Sequence, residues 1–392
     1  MHSVVGRRAG SRKRVQKKAF AEFFAGIGLV GEALRKTGWA CEYANDIDPK
    51  KREIYEANFS DVDKYHEHDI WNTDAILSRL KIAPVLATST FPCTDLSLAG
   101  NWKGFDGVHS STFFGFMEVL KRLGKKSPKL ILLENVPGFL AARNGDDFRS
   151  ATTALAELGY WIDSFAIDAR AFVPQSRQRI FLLCVRDDVR SELLVRDSHP
   201  FWKAAAFSPG TARTAPIQKF MQTHSLKTGW VATPIKRPPQ RKYDLTRIID
   251  TGDDQAWWGP ADVKKHYKGM SDLHRDRIDA IIGSGERLVA TGYRRKRAGT
   301  TRLEVRFDGI AGCLRTPRGG SARQIVVLVE SGELKIRWMS AVEYARLQGV
   351  GRFKLLDNER QMLFGFGDAV CVPVIEWIDK CVLTPLYEDC LR

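Results

Sequence analysis

No CxxC pair joins any two of the seven cysteines in this 392-residue chain. They stand apart at 41, 93, 184, 313, 371, 381 and 390. That scatter argues against structural zinc and against a disulfide framework, and it suits a reducing cytosol. No apolar run approaches the roughly 20 residues of a membrane span, and no signal peptide is visible. No internal repeat is found either. Acids are scarce beside bases: 46 Asp and Glu face 61 Lys and Arg, giving a net charge of +15. The first 18 residues hold no acid and seven bases (Arg7, Arg8, Arg12, Lys13, Arg14, Lys17 and Lys18), which predicts a disordered basic arm over 1–18. The excess on the rest of the chain points to a polyanion partner, since phosphate neutralisation supplies most non-specific nucleic-acid affinity. A solvated surface would carry the same charge. With 44% hydrophobic residues, the chain is long enough for two domains around a real core.

An α/β rhythm begins at Ala19. "AFAEFFAG", "ACEYAND", "VLATSTF", "KLILLENV" and "RIFLLCV" read as strands, with amphipathic helices such as "GLVGEALRKTGW" and "DDFRSATTALAELG" between them. Strands alternating with helices predict a parallel sheet covered on both faces, a first domain over 19–186. After Arg186 the rhythm fades, and Pro, Thr, Lys and paired tryptophans take over. Residues 187–338 are expected to form a smaller, largely irregular second domain. Helical patterning returns over 339–392, a segment expected to rejoin the first domain.

Five stretches carry chemistry. "EFFAGIGLVGEAL" is a strand, a glycine turn and a helix, the arrangement that lets a backbone approach a ligand at a helix N-terminus. A tight turn alone would also explain it. "YANDIDP" ends the second strand on Asp46 and Asp48, where an acid commonly holds the ribose of an adenosine-bearing cofactor. "FPCTD" places Cys93 at a strand-to-loop junction rather than inside an apolar element. "LLENVPGF" places Glu134 and Asn135 at the end of a buried strand, where ligand sites of open α/β sheets lie. "VPQSRQRIF" spaces Arg177 and Arg179 two apart, so both side chains leave one face of a strand. Each stretch alone has a structural explanation.

Together and in this order they resemble the DNA (cytosine-5) methyltransferases, over nearly all of residues 20–380. Glu22 to Gly31 resembles the family's cofactor loop, Phe91-Pro92-Cys93 its Pro-Cys nucleophile motif and Glu134-Asn135-Val136 its ENV motif. Gln175 to Arg179 matches QxRxR. "EYARLQG" (Glu343 to Gly349) matches the helix that braces the recognition domain, and "GFGDAVCVPVI" the closing cofactor motif. The resemblance implies a Rossmann-like, S-adenosylmethionine-dependent domain with a target-recognition domain. The substrate it implies is a cytosine flipped out of a specific double-stranded DNA sequence. Cys93 is then the nucleophile that adds to C6. Glu134 holds N3 and the exocyclic amine, Arg179 holds O2, and Arg177 braces the loop or a phosphate. The base that removes the C5 proton is not identifiable; an ordered water is one candidate. Phe24, Gly26, Ile27 and Gly28 would line the cofactor, Asp46 with Ile47 the ribose, Asp69 and Ile70 the adenine. Pro92, Asp368 and Ala369 would lie near the methionine end. Asp368 departs from the family's usual Asn; an ionised acid accepts but does not donate, so it is placed against the cofactor's ammonium.

Glycines 100, 104 and 107 would hinge a lid after Cys93, with Ser97 and Lys103 near phosphates. Sequence readout is expected from Arg294, Arg295, Arg297, Arg315, Arg318 and Arg323, of which Arg315 or Arg318 is favoured as a base reader. The rival tRNA-modifying relatives typically carry a Cys-Phe-Thr tripeptide absent from this sequence, and a non-catalytic relative would be expected to lose Cys93 or Glu134. A nicotinamide dehydrogenase fits poorly, because nothing beyond the glycine turn resembles its site. No large regulatory domain precedes the catalytic part. The expectation is a bacterial or phage enzyme of a restriction–modification system, monomeric, cytoplasmic and nucleoid-associated, with a cognate endonuclease as functional partner.

Overall fold

The computed structural model describes residues 16–80, 83–92, 112–297, 299–317 and 322–391. The alternation becomes β1 (Ala19–Phe23), α1 (Leu29–Lys36), β2 (Ala40–Asp46), α2 (Pro49–Asn58), β3 (Tyr65–Glu67), α3 (Thr73–Arg79) and β4 (Leu86–Ser89). It continues through α4 (Thr112–Leu123), β5 (Leu130–Asn135), a short α5 (Gly138–Ala141), α6 (Asp146–Glu157), β6 (Tyr160–Asp168) and β7 (Gln178–Arg186). These strands form one sheet in the order β3-β2-β1-β4-β5-β7-β6. Every residue of β1, β4 and β5 is buried, as expected of parallel strands covered on both faces. Chain direction around β1 reverses its progress across the sheet, which puts the switch point between β1 and β4.

The far edge departs from the expectation of a wholly parallel sheet. The sequence reading had one closing strand; there are two, and β7 runs antiparallel to both β5 and β6. A parallel neighbour needs a crossover of a dozen or more residues, whereas 169–177 is only a short connection, so β7 turns straight back. The unread strand, β6, lacks alternation because its inner residues are buried on both faces. That includes Asp163, whose carboxylate pairs with Arg213 with both side chains fully buried.

Residues 187–249 contain only short elements: β8 (Val195–Arg196), α7 (Trp202–Phe207), α8 (Ala215–Thr223) and β9 (Val231–Ala232). Trp202, Ile217, Phe220 and Trp230 pack into the same apolar cluster as Phe148 of α6 and Ile162 of β6, so this stretch covers the large sheet. The irregular character expected of 187–338 ends there. Next come α9 (Pro260–Lys268), α10 (Asp272–Ser284) and a regular antiparallel sheet. Its strands are β10 (Leu288–Arg297), β11 (Thr300–Arg306), β12 (Ile325–Glu330) and β13 (Glu333–Trp338), in the order β11-β10-β12-β13. One face, with Ala290, Leu303, Val305 and Val327, packs on Ile278 of α10. From the other face Val289, Val326 and Leu328 join the main core. The chain then returns through α11 (Ala341–Leu347), α12 (Glu359–Asp368) and α13 (Val372–Ile378), which lies on α1. Among the described residues no helix is long and apolar enough to cross a membrane.

A carboxylate sits at the base of this core. Glu22 on β1 is 1% exposed, and its Oε2 accepts from the Gly31 N–H at 3.1 Å. Burial pushes its carboxyl up to about 7, against the opposing pull of Arg35. An acid raised on folding stabilises the fold fully below its unfolded value, and that contribution is lost as pH climbs through about 7. At about 1.4 kcal/mol per unit, the rise from 4.5 corresponds to about 3 kcal/mol at alkaline pH. Glu22→Gln keeps an acceptor for Gly31 and removes the titration. Urea unfolding from pH 5 to 9 should show stability falling for the native chain and a flatter profile for the variant. Parallel profiles would assign the slope to other groups.

Candidate active site

The carboxyl ends of β1, β2, β4 and β5 meet in one cleft. After β1 the backbone enters the left-handed region at Phe24 (φ 57°), an uncommon conformation for a non-glycine residue, and again at Gly26 and Gly28. Only glycine fits at position 28, where φ is 81° and an added Cβ would lie 2.6–2.8 Å from ring carbons of Phe59 and Tyr55. Asp46, at the end of β2, ties this loop down: Oδ2 accepts from the Gly26 N–H at 2.8 Å and Oδ1 from the Asp48 N–H at 3.0 Å. Next to it Ile47 is 62% exposed, an apolar face with nothing over it. Asn45 Nδ2 donates to the His68 carbonyl at 2.7 Å, which brings the 68–70 turn alongside. Asp69 is exposed and caps that turn through the Trp71 N–H, while the Ile70 side chain is buried under Gly115. Ile27 is likewise buried, against Gly365. Both isoleucines can therefore meet a ligand chiefly through their backbone. A glycine turn, a carboxylate already holding it and an uncovered Ile47 fit an adenosine-bearing cofactor.

Across the switch point, β4 leads into Thr90, Phe91 and Pro92, and the candidate nucleophile Cys93 lies outside the described residues, as do Ser97 and Lys103. The segment leading to it is positioned, however. Asn135 at the end of β5 donates from Nδ2 to the Phe91 carbonyl at 3.2 Å, and its Oδ1 accepts from the Val136 N–H. Thr90 Oγ1 donates to the Phe24 carbonyl at 2.9 Å, joining the two halves of the cleft. Beside Asn135, Glu134 is 8% exposed and forms an ion pair with Arg179 of β7, Nε to Oε1 at 2.6 Å. The antiparallel course of β7, which the sequence reading did not foresee, is what brings these two side chains together.

Arg177 and Arg179 do not share a fate. Arg177 is 2% exposed, and its guanidinium donates to the carbonyls of Leu314, Gly367 and Ala369. Of the two roles left open for it, this geometry allows the brace and leaves no route to a phosphate. Cys313, which the sequence reading did not single out, stands 3.4 Å from Arg177 Nη1 and 4.0 Å from Arg179 Nη2. Burial pushes its thiol up, but Arg177, Arg179 and Arg315 together outweigh that and hold it below its ordinary value. Asp368, at the end of α12, faces Lys51 of α2 at 3.2 Å. Ala369 follows, its carbonyl held by Gln348 as well as Arg177.

The C-5 cytosine-specific DNA methylase model matches residues 19–383. The chain belongs to that family. The type II methyltransferase M.HpaII of Haemophilus parainfluenzae is 33% identical over 388 residues, which cover 95% of this chain and 90% of that protein. M.HhaI of Haemophilus parahaemolyticus is 29% identical over 45% of this chain and 52% of its own length, and M.BsuFI of Bacillus subtilis 32% identical over 44% and 40%. The match thus spans only about half of M.HhaI and two fifths of M.BsuFI. The S. pombe Dnmt2 methyltransferase structure superposes with a TM-score of 0.58 at 16% identity, covering 95% of this chain and 99% of that one, which speaks for the fold. The methyl donor of the cytosine-5 methylase family is S-adenosylmethionine, matching the cleft at the ends of β1 and β2.

The arginines expected to read sequence separate by strand parity. Arg295 lines a cavity of about 790 Å³ with Tyr293, Arg302, Arg306, Cys313 and Arg315. Arg294, one residue away, leaves the opposite face and lies 4.8 Å over the Trp338 ring. Arg323 is committed as well, to Glu359 at 2.8 Å and to the Met339 carbonyl. Arg294 and Arg323 thus have partners within the protein, whereas Arg295 and Arg315 face the cavity. The side chain of Arg297 and all of Arg318 lie outside the described residues. Arg302 and Arg306 were missed because a basic strand of mixed character reads as a loop. Glu343, from the bracing helix, is fully buried, pairs with Arg337 of β13 and completes a capping box with Ser340.

Proposed function

We propose that this chain transfers a methyl group to C5 of a cytosine flipped out of a specific duplex DNA sequence, with Cys93 as covalent nucleophile. The observation that carries the reading is the Glu134–Arg179 pair at the carboxyl end of β5, next to the Asn135 contact that fixes the residues just before Cys93. C5 of cytosine is a weak nucleophile. Addition of the Cys93 thiolate to C6 moves the ring electrons to C5, splitting one difficult step into two. Glu134 hydrogen-bonds N3 and the exocyclic amine and supplies a proton as charge builds there. Arg179 keeps that carboxylate oriented and presents its remaining N–H groups to O2. S-adenosylmethionine, when bound, supplies the methyl group as an electrophile. A base then takes the C5 proton, the ring returns its N3 proton to Glu134, and the C6–S bond breaks to release the Cys93 thiolate.

Residues 260–338 act as the sequence reader, a division that rests on the arginine-lined cavity opening beside Cys313 and Arg179. Arginine bidentate to guanine is the commonest specific major-groove contact, which favours Arg295 and Arg315 as base readers. The lid expected around Gly100, Gly104 and Gly107 lies outside the described residues; the protein works as a monomer, and a restriction endonuclease of the same specificity is its functional partner.

Bisulfite sequencing of DNA from cells expressing the protein should reveal one methylated motif. Arg295→Ala or Arg315→Ala should blur one position of it, at a cost of about 1–3 kcal/mol, while Arg294→Ala leaves it sharp. Label transfer from S-adenosylmethionine to tRNA in place of duplex DNA would overturn the reading.

A further inference from the structure

Between the buried side chains of Ile235 and Leu245 runs a strip with four bases, Lys236, Arg237, Arg241 and Lys242, and a single acid, Asp244. Lys236, Arg237 and Lys242 are exposed and Arg241 is half-buried. Among the described residues none of these four cations has a carboxylate at ion-pair distance. Elsewhere the surface pairs its arginines, as at Arg186 with Asp188, Arg306 with Asp308 and Arg323 with Glu359. The neighbouring Asp244 is turned instead to the backbone and hydroxyl of Thr246. Uncompensated like charges repel one another, and a row of them suits a polyanion.

A slack connector between domains would be the plain reading, but the strip is held in place. The Arg237 N–H donates to the Gly210 carbonyl at 2.9 Å, and Arg241 Nε donates to the Arg170 carbonyl at 3.2 Å. Pro238 and Pro239 fix φ between those two anchors and favour an extended course. Arg170 also donates to Ser176 Oγ at 3.1 Å, and Ser176 lines the arginine cavity beside Cys313. The strip therefore joins that cavity through one turn, 169–177, at the end of the sheet where Glu134 meets Arg179. It lies outside β6: Ala212 accepts from Ala166 of that strand, and Thr211 beside it pairs with Lys236. β6 is itself two strand spacings from β5, about 10 Å at roughly 4.8 Å each. At about 3.4 Å per base pair, DNA meets the strip about three or more pairs from the target base.

We propose that Lys236, Arg237, Arg241 and Lys242 form a track for the phosphates of duplex DNA flanking the recognition sequence. The proposal rests on the reading of duplex DNA as the substrate. The track carries no sequence information, because phosphates position a protein and base edges specify the site. It holds any flank alike and lengthens the footprint beyond the bases that are read.

The test compares the full chain with the combined variant Lys236→Gln, Arg237→Gln and Lys242→Gln. Arg241 is kept because it also holds the Arg170 carbonyl. Affinity is followed by fluorescence anisotropy across a salt series, on two duplexes. The short one ends at the edges of the methylated sequence, and the long one adds a helical turn on each side. On the long duplex the variant should lose about 2.7 from the slope of log affinity against log salt, at about 0.9 per phosphate. On the short duplex the two chains should give the same slope. The variant should melt near the native temperature and methylate the same sequence as sharply. Equal slopes on the long duplex would overturn the track. An equal loss on both duplexes would overturn it too, by placing the contacts inside the recognition sequence. Label transfer from S-adenosylmethionine by the native chain is the separate arm. If no duplex is labelled, the substrate reading itself fails; if duplex is labelled and the slopes agree, the track alone fails.

Discussion

Duplex DNA carrying 5-fluorocytosine at the target position should become covalently attached to this protein in the presence of S-adenosylmethionine, and Cys93→Ser should abolish the adduct completely. Fluorine at C5 takes the place of the proton that a base must remove, so the final elimination cannot occur and the C6–S bond persists through denaturation. The prediction is sharp because a second thiol competes for the role. Cys313 stands beside Arg177 and Arg179, and these arginines, with Arg315, hold it below its ordinary value, which raises its thiolate fraction. It projects from the recognition side, though, whereas Asn135 grips the carbonyl of Phe91 just ahead of Cys93 at the end of β4. Cys313→Ser should therefore retain the adduct. An adduct that survives loss of Cys93 and disappears with Cys313 would reverse the assignment. Gel mobility after boiling in detergent distinguishes the two.

Glu134→Ala should lower the rate of methyl transfer by about 10²–10⁴-fold, the usual contribution of a positioned proton donor. The carboxylate is nearly inaccessible to water and is paired only 2.6 Å from Arg179, so bulk solvent is poorly placed to replace it. Removing it also leaves the Arg179 guanidinium without its counter-charge in a largely buried setting, which costs stability. Glu134→Gln separates the two effects. The amide preserves shape and an acceptor for Arg179 but has no proton to deliver, so it should melt near the native temperature and stay slow. Single-turnover label transfer alongside thermal unfolding reads both quantities. A glutamine variant within a few-fold of the native rate would move proton delivery to another group.

The parts of this site that lie within one short stretch were legible from sequence. The glycine turn, Asp46 and Glu134 each sit at a strand end, and the reason for their placement is local. The parts that depend on pairing were not. The strand β6 was invisible because burial on both faces erases alternation, and without it β7 could not be recognised as antiparallel. The same gap hid why Arg179 meets Glu134. On the recognition side, taking "GYRRKR" as a loop grouped Arg294 with Arg295, although a strand sends neighbours to opposite faces.

The packing of α13 against α1 sets a condition on how the molecule is made. Trp39, which follows α1, hydrogen-bonds Asp379 through Nε1 at 2.7 Å and lies 5.6 Å from the Tyr387 ring. Trp39 and Asp379 are separated by 340 residues of chain. At roughly 5–20 residues per second the earlier half waits on the order of tens of seconds for the later one. Through that interval the apolar face of α1 lacks the helix that covers it in the finished fold.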